Sequence, residues 1–215
     1  MNLSDMIRRA TEPMPERVVA NKDRTSIAVL DAALRQFELF GITCSTMEDI
    51  ARRARRSRMT IYRRFPDKAR LVEAVILREL RNFLADLEVH IQSVATPEEK
   101  LIEGFAFTLK AVRSHLLLQR LLESEPEMLL PYLTTDGAPF IATARDFLAG
   151  HLAHELDGDY ADAELLSVAE IVVRLILSFL LTPQTQVGLD DREQMRVFAL
   201  RYLAPILQGA AQSAR

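Results

Sequence analysis

The stretch STMEDIARRARRSRMTIYRRFPDK, residues 45–68, decides the fold because it predicts two short helices on either side of a tight turn. Ser45 and Glu48 have the S-x-x-E spacing of a capping box, and Thr46 competes with Ser45 as the first cap. Ser57 is a second N-cap candidate, which opens the next helix. Two helices separated by a turn of about four residues have the spacing of a helix-turn-helix.

Apolar periodicity predicts helices on both sides of this motif, and no strand alternation persists. Upstream, one helical face leads to Gly41, which stands where a C-cap glycine belongs. The residues of that face are Ile27, Leu30, Leu34 and Phe37. The second part of the chain predicts helices at about 97–113, 115–123, 137–156, 162–182 and 190–209. The fold class is therefore all-α, with about nine helices.

Composition excludes several protein classes. The chain has 49% apolar and 27% charged residues, as in a soluble globular protein. Its single cysteine, Cys44, excludes an intramolecular disulfide and fits a reducing cytoplasm. The N-terminus has no run of signal-peptide length, and Glu170 and Arg174 interrupt the most apolar segment, 165–181. We therefore expect a cytoplasmic protein without a membrane span.

Charge is distributed unevenly along the chain. Residues 1–82 contain 17 Lys or Arg and 11 Asp or Glu, a net charge of +6, whereas the remainder carries −9. This asymmetry indicates polyanion binding by the N-terminal part only. Residues 1–22 show no apolar periodicity, so we expect them to form a flexible arm.

The second helix of the motif has an apolar side and a cationic side. Ile61 and Phe65 are four residues apart and share the face that can pack on the preceding helices. The side chains that fall mostly elsewhere are Arg58, Met59, Tyr62 and Arg63. Because arginine pairs bidentately with guanine or phosphate, this side suits a helix that reads the major groove of DNA.

Linked motifs extend over about fifty residues, from Ile27 to Ile76. They are IAVLDAALRQFELFG, STMEDIA, SRMTIYRRFPDK and LVEAV, and they coincide in register with the caps and the apolar pattern. In these motifs the chain resembles the N-terminal domain of TetR-family transcriptional regulators. The rest of the chain is similar to such proteins mainly in length and helicity.

The resemblance implies a homodimeric, ligand-responsive repressor that binds a palindromic operator and is not an enzyme. It implies three parts: the arm, a helix-turn-helix DNA-binding domain at 23–70, and a helical effector-binding and dimerisation domain at 71–215. The expected partners are double-stranded DNA, a second copy of the chain and a small-molecule effector of unknown identity. No cofactor, metal or membrane is expected.

The resemblance also assigns DNA contacts. The positions implied for phosphate contacts are Thr46, Met47, Thr60, Tyr62, Arg64 and Lys68. The positions implied for base contacts are Glu48, Arg58, Met59 and Arg63. At Glu48 a capping role competes with reading cytosine N4, and we place the capping role first.

The turn departs from the family pattern. Family members usually have Ala-Gly-Val-Ser where this chain has Ala54-Arg55-Arg56-Ser57. A residue other than glycine in the left-handed conformation costs about 1 kcal/mol. Arg56 cannot bury its charge cheaply, so we expect its methylenes to cover the core while its guanidinium reaches solvent or phosphate. A somewhat weaker small domain follows.

The last two long helices are the predicted dimer interface. The first is apolar on more than one face, which suits a helix placed between its own core and a partner. The predicted interface residues are Ala169, Val172, Val173, Ile176, Leu177, Leu180, Val197, Leu200 and Ala204. By resemblance, these helices and their symmetry mates would form a four-helix bundle.

A small-molecule pocket is expected among the middle helices, again by resemblance. Aromatic and leucine side chains at helical spacing are its candidate lining: Phe83, Leu87, Phe105, Leu109, Phe140 and Phe147. The same residues would suit an ordinary core. An apolar effector is mildly preferred.

Two other function classes stay open at this point. His151, His154 and Glu155 share one predicted helix and could form a partial metal site of an enzyme, although HLAHE does not have the H-E-x-x-H order. The arginine-containing turn also allows a helical protein-interaction adaptor with a degenerate helix-turn-helix. Metal analysis tests the first alternative, and Arg58→Ala and Arg63→Ala test the second.

Overall fold

The computed structural model describes residues 3–11, 24–153 and 162–213, and within these ranges it contains helices and no strand. The all-α prediction is confirmed. None of the helices in these ranges combines the length and apolar character that a membrane span requires.

The chain divides into two compact units. The first unit comprises Met1–Asn82 and His115–Pro131, and the second comprises Phe83–Ser114 and Tyr132–Arg215. The predicted boundary near residue 70 therefore differs from the structural division, which places the segment after residue 114 with the first unit.

The first unit contains the short helices of the predicted motif. Its helices are α1 (Leu3–Thr11), α2 (Arg24–Phe40), α3 (Met47–Arg53), α4 (Arg58–Arg64), the first part of α5 (Lys68–Gln92) and α7 (Leu116–Ser124). Helix α2 packs on α3 and α7, and α3 packs on α4. Residues 3–11 were predicted to lie in a flexible arm, but they form a helix in which Met6 is buried. Residues 12–22 of that arm lie outside the described residues.

Two local predictions for this unit are wrong, and the first concerns the buried face of α2. That face consists of Val29, Ala32, Ala33, Gln36 and Phe37, whereas Ile27 is exposed and Leu30 and Leu34 are half-buried. The inward face of α2 is therefore centred on small side chains, which allow close packing of short helices.

The capping box also differs from the prediction. Thr46, not Ser45, is the N-cap of α3, and Asp49 takes the reciprocal position. Ser45 is buried, and its hydroxyl donates to the carbonyl oxygen of Gly41 at 2.5 Å. Because this bond uses the Ser45 hydroxyl to close the preceding turn, the next hydroxyl residue caps the helix.

The second unit is a bundle around one apolar core. Besides the end of α5, its helices are α6 (Pro97–Ser114), α8 (Leu130–Leu133, which begins at the unit boundary), α9 (Ala138–Ala153), α10 (Asp162–Leu181), α11 (Arg192–Phe198) and α12 (Ala204–Ser213). Helices α9 and α10 pack along each other, and α6 contacts α10, α11 and α12. Helix α8 has no predicted counterpart, and α11 and α12 together occupy the single helix predicted at 190–209. The other bounds lie within a few residues of the predicted ones.

A π-helical turn, Ala199–Leu203, joins α11 to α12. The backbone amide of Ala204 donates to the carbonyl oxygen of Ala199, five residues earlier. Pro205 follows, and proline has no amide to donate and crowds the carbonyl four residues before it. The wider turn accommodates the proline without ending the helical path.

Candidate DNA-binding surface and effector cavity

Helix α4 is anchored at three points. The Ser57 hydroxyl accepts a hydrogen bond from the backbone amide of Thr60 at 3.2 Å and so caps the first turn. Ile61 is fully buried, which fixes the inner side of the helix. The backbone amide of Phe65 donates to the carbonyl oxygen of Ile61 at 2.8 Å, and the chain then becomes extended.

The outer side of α4 is open to solvent. Met59 is 82% exposed, and Tyr62 is also exposed. Arg58 and Arg63 are exposed on the same short helix. The sidedness predicted from the sequence is therefore present, with apolar anchoring behind and cationic and polar groups in front. A short helix built in this way can enter a major groove while its inner face stays packed.

Arg58 has an acidic neighbour on α3. Its guanidinium lies 3.2 Å from the Glu48 carboxylate, and both side chains are substantially exposed. Glu48 does not cap α3, so its predicted capping role is wrong. The ion pair instead orients Arg58 when no DNA is bound, at little net stability because exposed pairs contribute only about 0–1 kcal/mol.

The two threonine hydroxyls among the predicted phosphate contacts are already hydrogen-bonded. The Thr46 hydroxyl donates to the Asp49 carboxylate at 2.5 Å, and the Thr60 hydroxyl lies 2.8 Å from that of Ser57. The bond from Thr46, with the Arg52 guanidinium adding to it, lowers the pKa of Asp49. A phosphate that contacted either threonine would therefore compete with a hydrogen bond already made at a helix cap.

Three other predicted contacts have different surroundings. Met47 is buried, so its side chain cannot touch phosphate, because the first turn of α3 uses it as core. Arg64 is half-buried and donates to the Ser26 hydroxyl at 3.0 Å. Lys68 is half-buried, and its ammonium donates to the carbonyl oxygen of Thr43 at 3.1 Å. Lys68 therefore also braces the preceding turn.

The segment Ala54–Ser57, called the arginine turn below, has the geometry of a Schellman C-cap. The amide of Arg56 donates to the carbonyl oxygen of Ala51 at 3.0 Å, and the amide of Arg55 donates to that of Arg52 at 3.2 Å. This motif requires a left-handed residue after the cap, and Arg55 has φ of +52°. The strain predicted for this position is present.

The segment Gly41–Ser45, called the glycine turn below, is held by a carboxylate that no sequence motif identified. Glu125 is only 6% exposed, and its carboxylate accepts from the backbone amides of Ile42 at 3.1 Å and Thr43 at 3.0 Å. Gly41 has φ of +78°, and a Cβ atom there would lie 2.0 Å from Oε1 of Glu125. Glycine is therefore favoured by the backbone, and any other residue would also displace the carboxylate of Glu125 from its hydrogen bonds.

The second unit contains a mainly apolar cavity that is partly open to solvent. Of the predicted lining residues, Leu87, Phe105 and Phe147 line it, together with Lys100, Thr108 and His151 as polar members. The remaining lining residues are Ile91, Leu101, Gly104, Leu148, Leu152, Val172 and Ile176.

The other three predicted lining residues lie elsewhere in the second unit. Phe83 stacks on Phe107 with ring centroids 6.1 Å apart, Leu109 is fully buried, and Phe140 is half-buried. Helical spacing identifies an inward face, but it does not distinguish a cavity wall from filled core.

The predicted dimer residues separate into two groups. The structure buries Ala169, Val172, Val173, Leu177 and Ala204 within the single chain, and Ile176 and Leu180 are half-buried. Four of the five buried residues lie on α10, which buries more than one apolar face inside its own unit.

The other two predicted dimer residues, Val197 and Leu200, belong to an apolar surface that is exposed near the C-terminal end of the chain. Val197 and Leu200 are 53% and 55% exposed, as an interface requires before a partner covers it. Further exposed apolar or aromatic side chains, none of them predicted from the sequence, are Ile171, Tyr202 and Ile206.

The predicted histidine site is only partly described. His151 points one ring nitrogen, Nδ1, at the carbonyl oxygen of Phe147, 2.9 Å away. His154 and Glu155 lie outside the described residues. In the part of the chain that the structure describes, no group of three His, Cys, Asp or Glu side chains could hold a metal ion.

Comparison with protein families gives two matches. Residues 29–75 match the model described as bacterial regulatory proteins, tetR family, and residues 97–199 match bacterial tetracyclin repressor, C-terminal domain. Together the two ranges cover well over half of the chain. The first contains the arginine turn and α4, and the second contains most of the cavity lining.

Individual relatives agree with these matches. An uncharacterized HTH-type transcriptional regulator of Mycobacterium tuberculosis is 29% identical over 200 residues, which cover 89% of this chain and 91% of that protein. The HTH-type transcriptional regulator AlkX of the same species is 30% identical over 141 residues, 64% of this chain and 66% of that protein.

A solved structure is also similar. It is the TetR family repressor AlkX from a Dietzia species, implicated in biodegradation of n-alkanes, with a TM-score of 0.61 and 25% identity. The likeness covers 85% of this chain and 97% of that one. These relatives are transcriptional regulators and not enzymes, which removes the support for the metal-enzyme hypothesis and favours DNA binding over a protein adaptor.

Proposed function

The chain belongs to the TetR family of transcriptional regulators, and on that premise we propose that it is a homodimeric repressor of a palindromic operator, released by a small effector. In this proposal the first unit reads the DNA, and the second unit pairs the subunits and contains the effector. The protein acts in the cytoplasm, where it meets its operator.

The observation that carries the DNA-binding part is the sidedness of α4. Ile61 is buried on one side while Arg58, Met59 and Arg63 are exposed on the other. Arginine reads guanine through two parallel hydrogen bonds, so Arg58 and Arg63 are the proposed base readers. Tyr62, also exposed, is a proposed phosphate contact.

Selection of binding sites from random duplex DNA, followed by titration of the purified protein, tests this part. We expect a palindromic site, since a dimer repeats one half-site through its two-fold axis. Arg58→Ala or Arg63→Ala should cost roughly 1–3 kcal/mol at particular base pairs. Lys110→Ala is the matched control, because Lys110 is an exposed cation of the second unit. Equal binding of all duplexes by the unaltered protein would contradict the proposal.

The exposed apolar surface of the second unit supports the dimer. Val197 and Leu200 are exposed to solvent, and Tyr202 and Ile206 are also exposed in the same helical region. We expect Leu200→Asp to yield monomers in analytical ultracentrifugation and to weaken operator binding strongly, because one helix-turn-helix contacts only a half-site. An unchanged dimer in both Leu200→Asp and Val197→Asp would place the interface on another surface.

The cavity supports the effector part. Its walls are mainly apolar, with Lys100 and His151 among the few polar groups. A site of this composition favours a ligand with an apolar body. The Dietzia relative is implicated in n-alkane biodegradation, which is consistent with an alkyl chain as that body.

The effector proposal is tested on the operator complex itself. Addition of n-alkyl compounds of increasing chain length should release the protein, by shifting its population toward a form that does not fit the operator. Gly104→Leu, which adds a side chain to the cavity wall, should abolish release while leaving operator binding intact. Release that is equal in the variant and in the unaltered protein would exclude this cavity.

A further inference from the structure

The arginine turn combines strain with exposed charge. Arg55 has a left-handed backbone conformation. Among the residues that the structure describes, it is the one residue other than glycine with a positive φ. Glycine at this position would remove the strain, and a valine after it would suit the apolar contact that usually accompanies a Schellman cap. The chain instead has two arginines there, both exposed. Local stability does not explain this choice.

The charges of the turn have no acidic partner in the part of the chain that the structure describes. The two nearby carboxylates are committed elsewhere, since Asp49 lies 2.5 Å from the Arg52 guanidinium and Glu48 lies 3.2 Å from that of Arg58. Arg56 donates only to the carbonyl oxygen of Arg55, at 3.2 Å, so its guanidinium folds back on the turn. Both cations are therefore available to an external anion.

The position of the turn identifies that anion. Arg55 and Arg56 directly precede Ser57, the N-cap of α4. When the N-terminal end of a recognition helix lies in the major groove, the residues just before it face the edge of the groove, where the sugar-phosphate backbone runs. Guanidinium groups bind phosphate oxygens through paired, charge-assisted hydrogen bonds.

We propose that Arg55 and Arg56 form a phosphate-binding site that clamps the operator backbone beside the base pairs read by α4. This inference rests on the proposed DNA-binding function and adds two phosphate-binding residues to it. Their binding carries no sequence information, because the backbone is the same at every site. The two arginines raise the affinity for the operator and for unrelated DNA by the same factor.

The test is the double substitution Arg55→Gly/Arg56→Val, with affinity measured at several salt concentrations on the operator and on a scrambled duplex. Each arginine removed from a phosphate should lower the slope of log affinity against log salt by about 0.9, so the double substitution should lower it by roughly 1.8 in each subunit. Affinity should fall roughly tenfold or more on both duplexes, leaving their ratio unchanged. The midpoint of thermal unfolding should rise, so a loss of folding cannot explain weaker binding.

Arg55→Lys/Arg56→Lys is the matched control, since it retains the charge and should keep most of the salt slope. An unchanged slope in the glycine-valine variant would overturn the inference, as would a changed ratio between the two duplexes. Failure of the proposed function is recognised separately, because the unaltered protein would then lack selective binding and Arg58→Ala would have no effect. Selective binding with an unchanged slope would refute the phosphate site alone.

Discussion

The glycine turn and the arginine turn both reverse the chain within the first unit, and each contains one residue with positive φ, Gly41 and Arg55. Their surroundings differ. The glycine turn is covered by the buried carboxylate of Glu125, whereas the arginine turn is open to solvent. The backbone of the C-cap needs a left-handed residue in both turns, but only in the covered turn would a Cβ displace a neighbouring side chain. An open turn can hold an arginine at a moderate cost in backbone strain, and the guanidinium then remains accessible to an anion such as phosphate.

The largest effect is expected from Gly41→Ala. The new Cβ would meet Oε1 of Glu125 at 2.0 Å and would also occupy a left-handed backbone. We expect a loss of about 2–4 kcal/mol in the free energy of unfolding of the first unit. Hydrogen exchange of the amides of α2 and α3 measures this unit separately from the second.

Gly150→Ala is the control for this substitution. Gly150 lies in α9 with no heavy atom within 4 Å of an added Cβ, so alanine should be neutral or stabilising. The double variant Gly41→Ala/Glu125→Ala should be less unstable than the sum of its single changes, because the clash disappears with the carboxylate. Simple additivity would show that Glu125 does not restrict Gly41.

The next effect is expected from Glu125→Gln. The carboxylate accepts from Ile42 through Oε2 and from Thr43 through both oxygens. An amide has one acceptor oxygen, so in Glu125→Gln the NH₂ group would face the Thr43 amide and the negative charge would be lost. We expect a loss of about 1–3 kcal/mol in the stability of the first unit. Glu123→Gln, at an exposed position two residues earlier, should change little. Equal effects of the two substitutions would mean that the glycine turn does not depend on the buried carboxylate.

A smaller effect of opposite sign is expected from Arg55→Gly. Removal of the strain should stabilise the first unit by about 1 kcal/mol. Arg55→Ala removes the charge but keeps the left-handed conformation, so it should leave the thermal midpoint nearly unchanged. Equal stabilisation by glycine and alanine would point to charge repulsion among the arginines, not to backbone strain, as the cost of the turn.

The smallest effect concerns the start of α7, the helix that ends next to Glu125. The Glu79 carboxylate lies 3.9 Å from Nε2 of His115, the N-cap of α7, and 3.1 Å from Nε of Arg78. The nearby His115 ring, followed by the charge of Arg78, lowers the pKa of Glu79 although burial opposes this.

A lowered pKa stabilises the fold above the ordinary value of 4.5 and loses that contribution as the pH falls through the folded value. Thermal unfolding between pH 6 and pH 3 should therefore decline less steeply in Glu79→Gln than in the unaltered protein. Glu123→Gln serves as the exposed control. Parallel pH profiles would show that Glu79 keeps an ordinary pKa in the folded state.

Much of the first unit could be predicted from local sequence. Ser57 as the cap of α4, Gly41 as a C-cap and the buried Ile61 follow from spacings of three or four residues, which the helix repeat converts into neighbours. Prediction failed where two local solutions were equally good. Ser45 and Thr46 are both competent caps, and the choice fell to Thr46 because Ser45 is used by the carbonyl of Gly41.

The second unit was less predictable for a related reason. In α10 nearly every face is apolar, so periodicity could not separate the residues buried in one chain from those left for a partner. Likewise, leucine and phenylalanine at helical spacing line the cavity in one case, Phe105, and fill solid core in another, Leu109. Both side chains are apolar, so only the packing around each one in the folded chain distinguishes a cavity wall from filled core.

The sequence by itself determined most of the helices, the cap of α4, the sidedness of α4 and the two positions that need a left-handed backbone. These properties depend on residues within about four positions of each other along a helix. Only the tertiary structure decided which of the two turns is covered, because Glu125 reaches the glycine turn from 83 residues further along the chain. No local sequence pattern predicts this contact between Glu125 and the glycine turn, because the contact depends on how α2 and α7 pack.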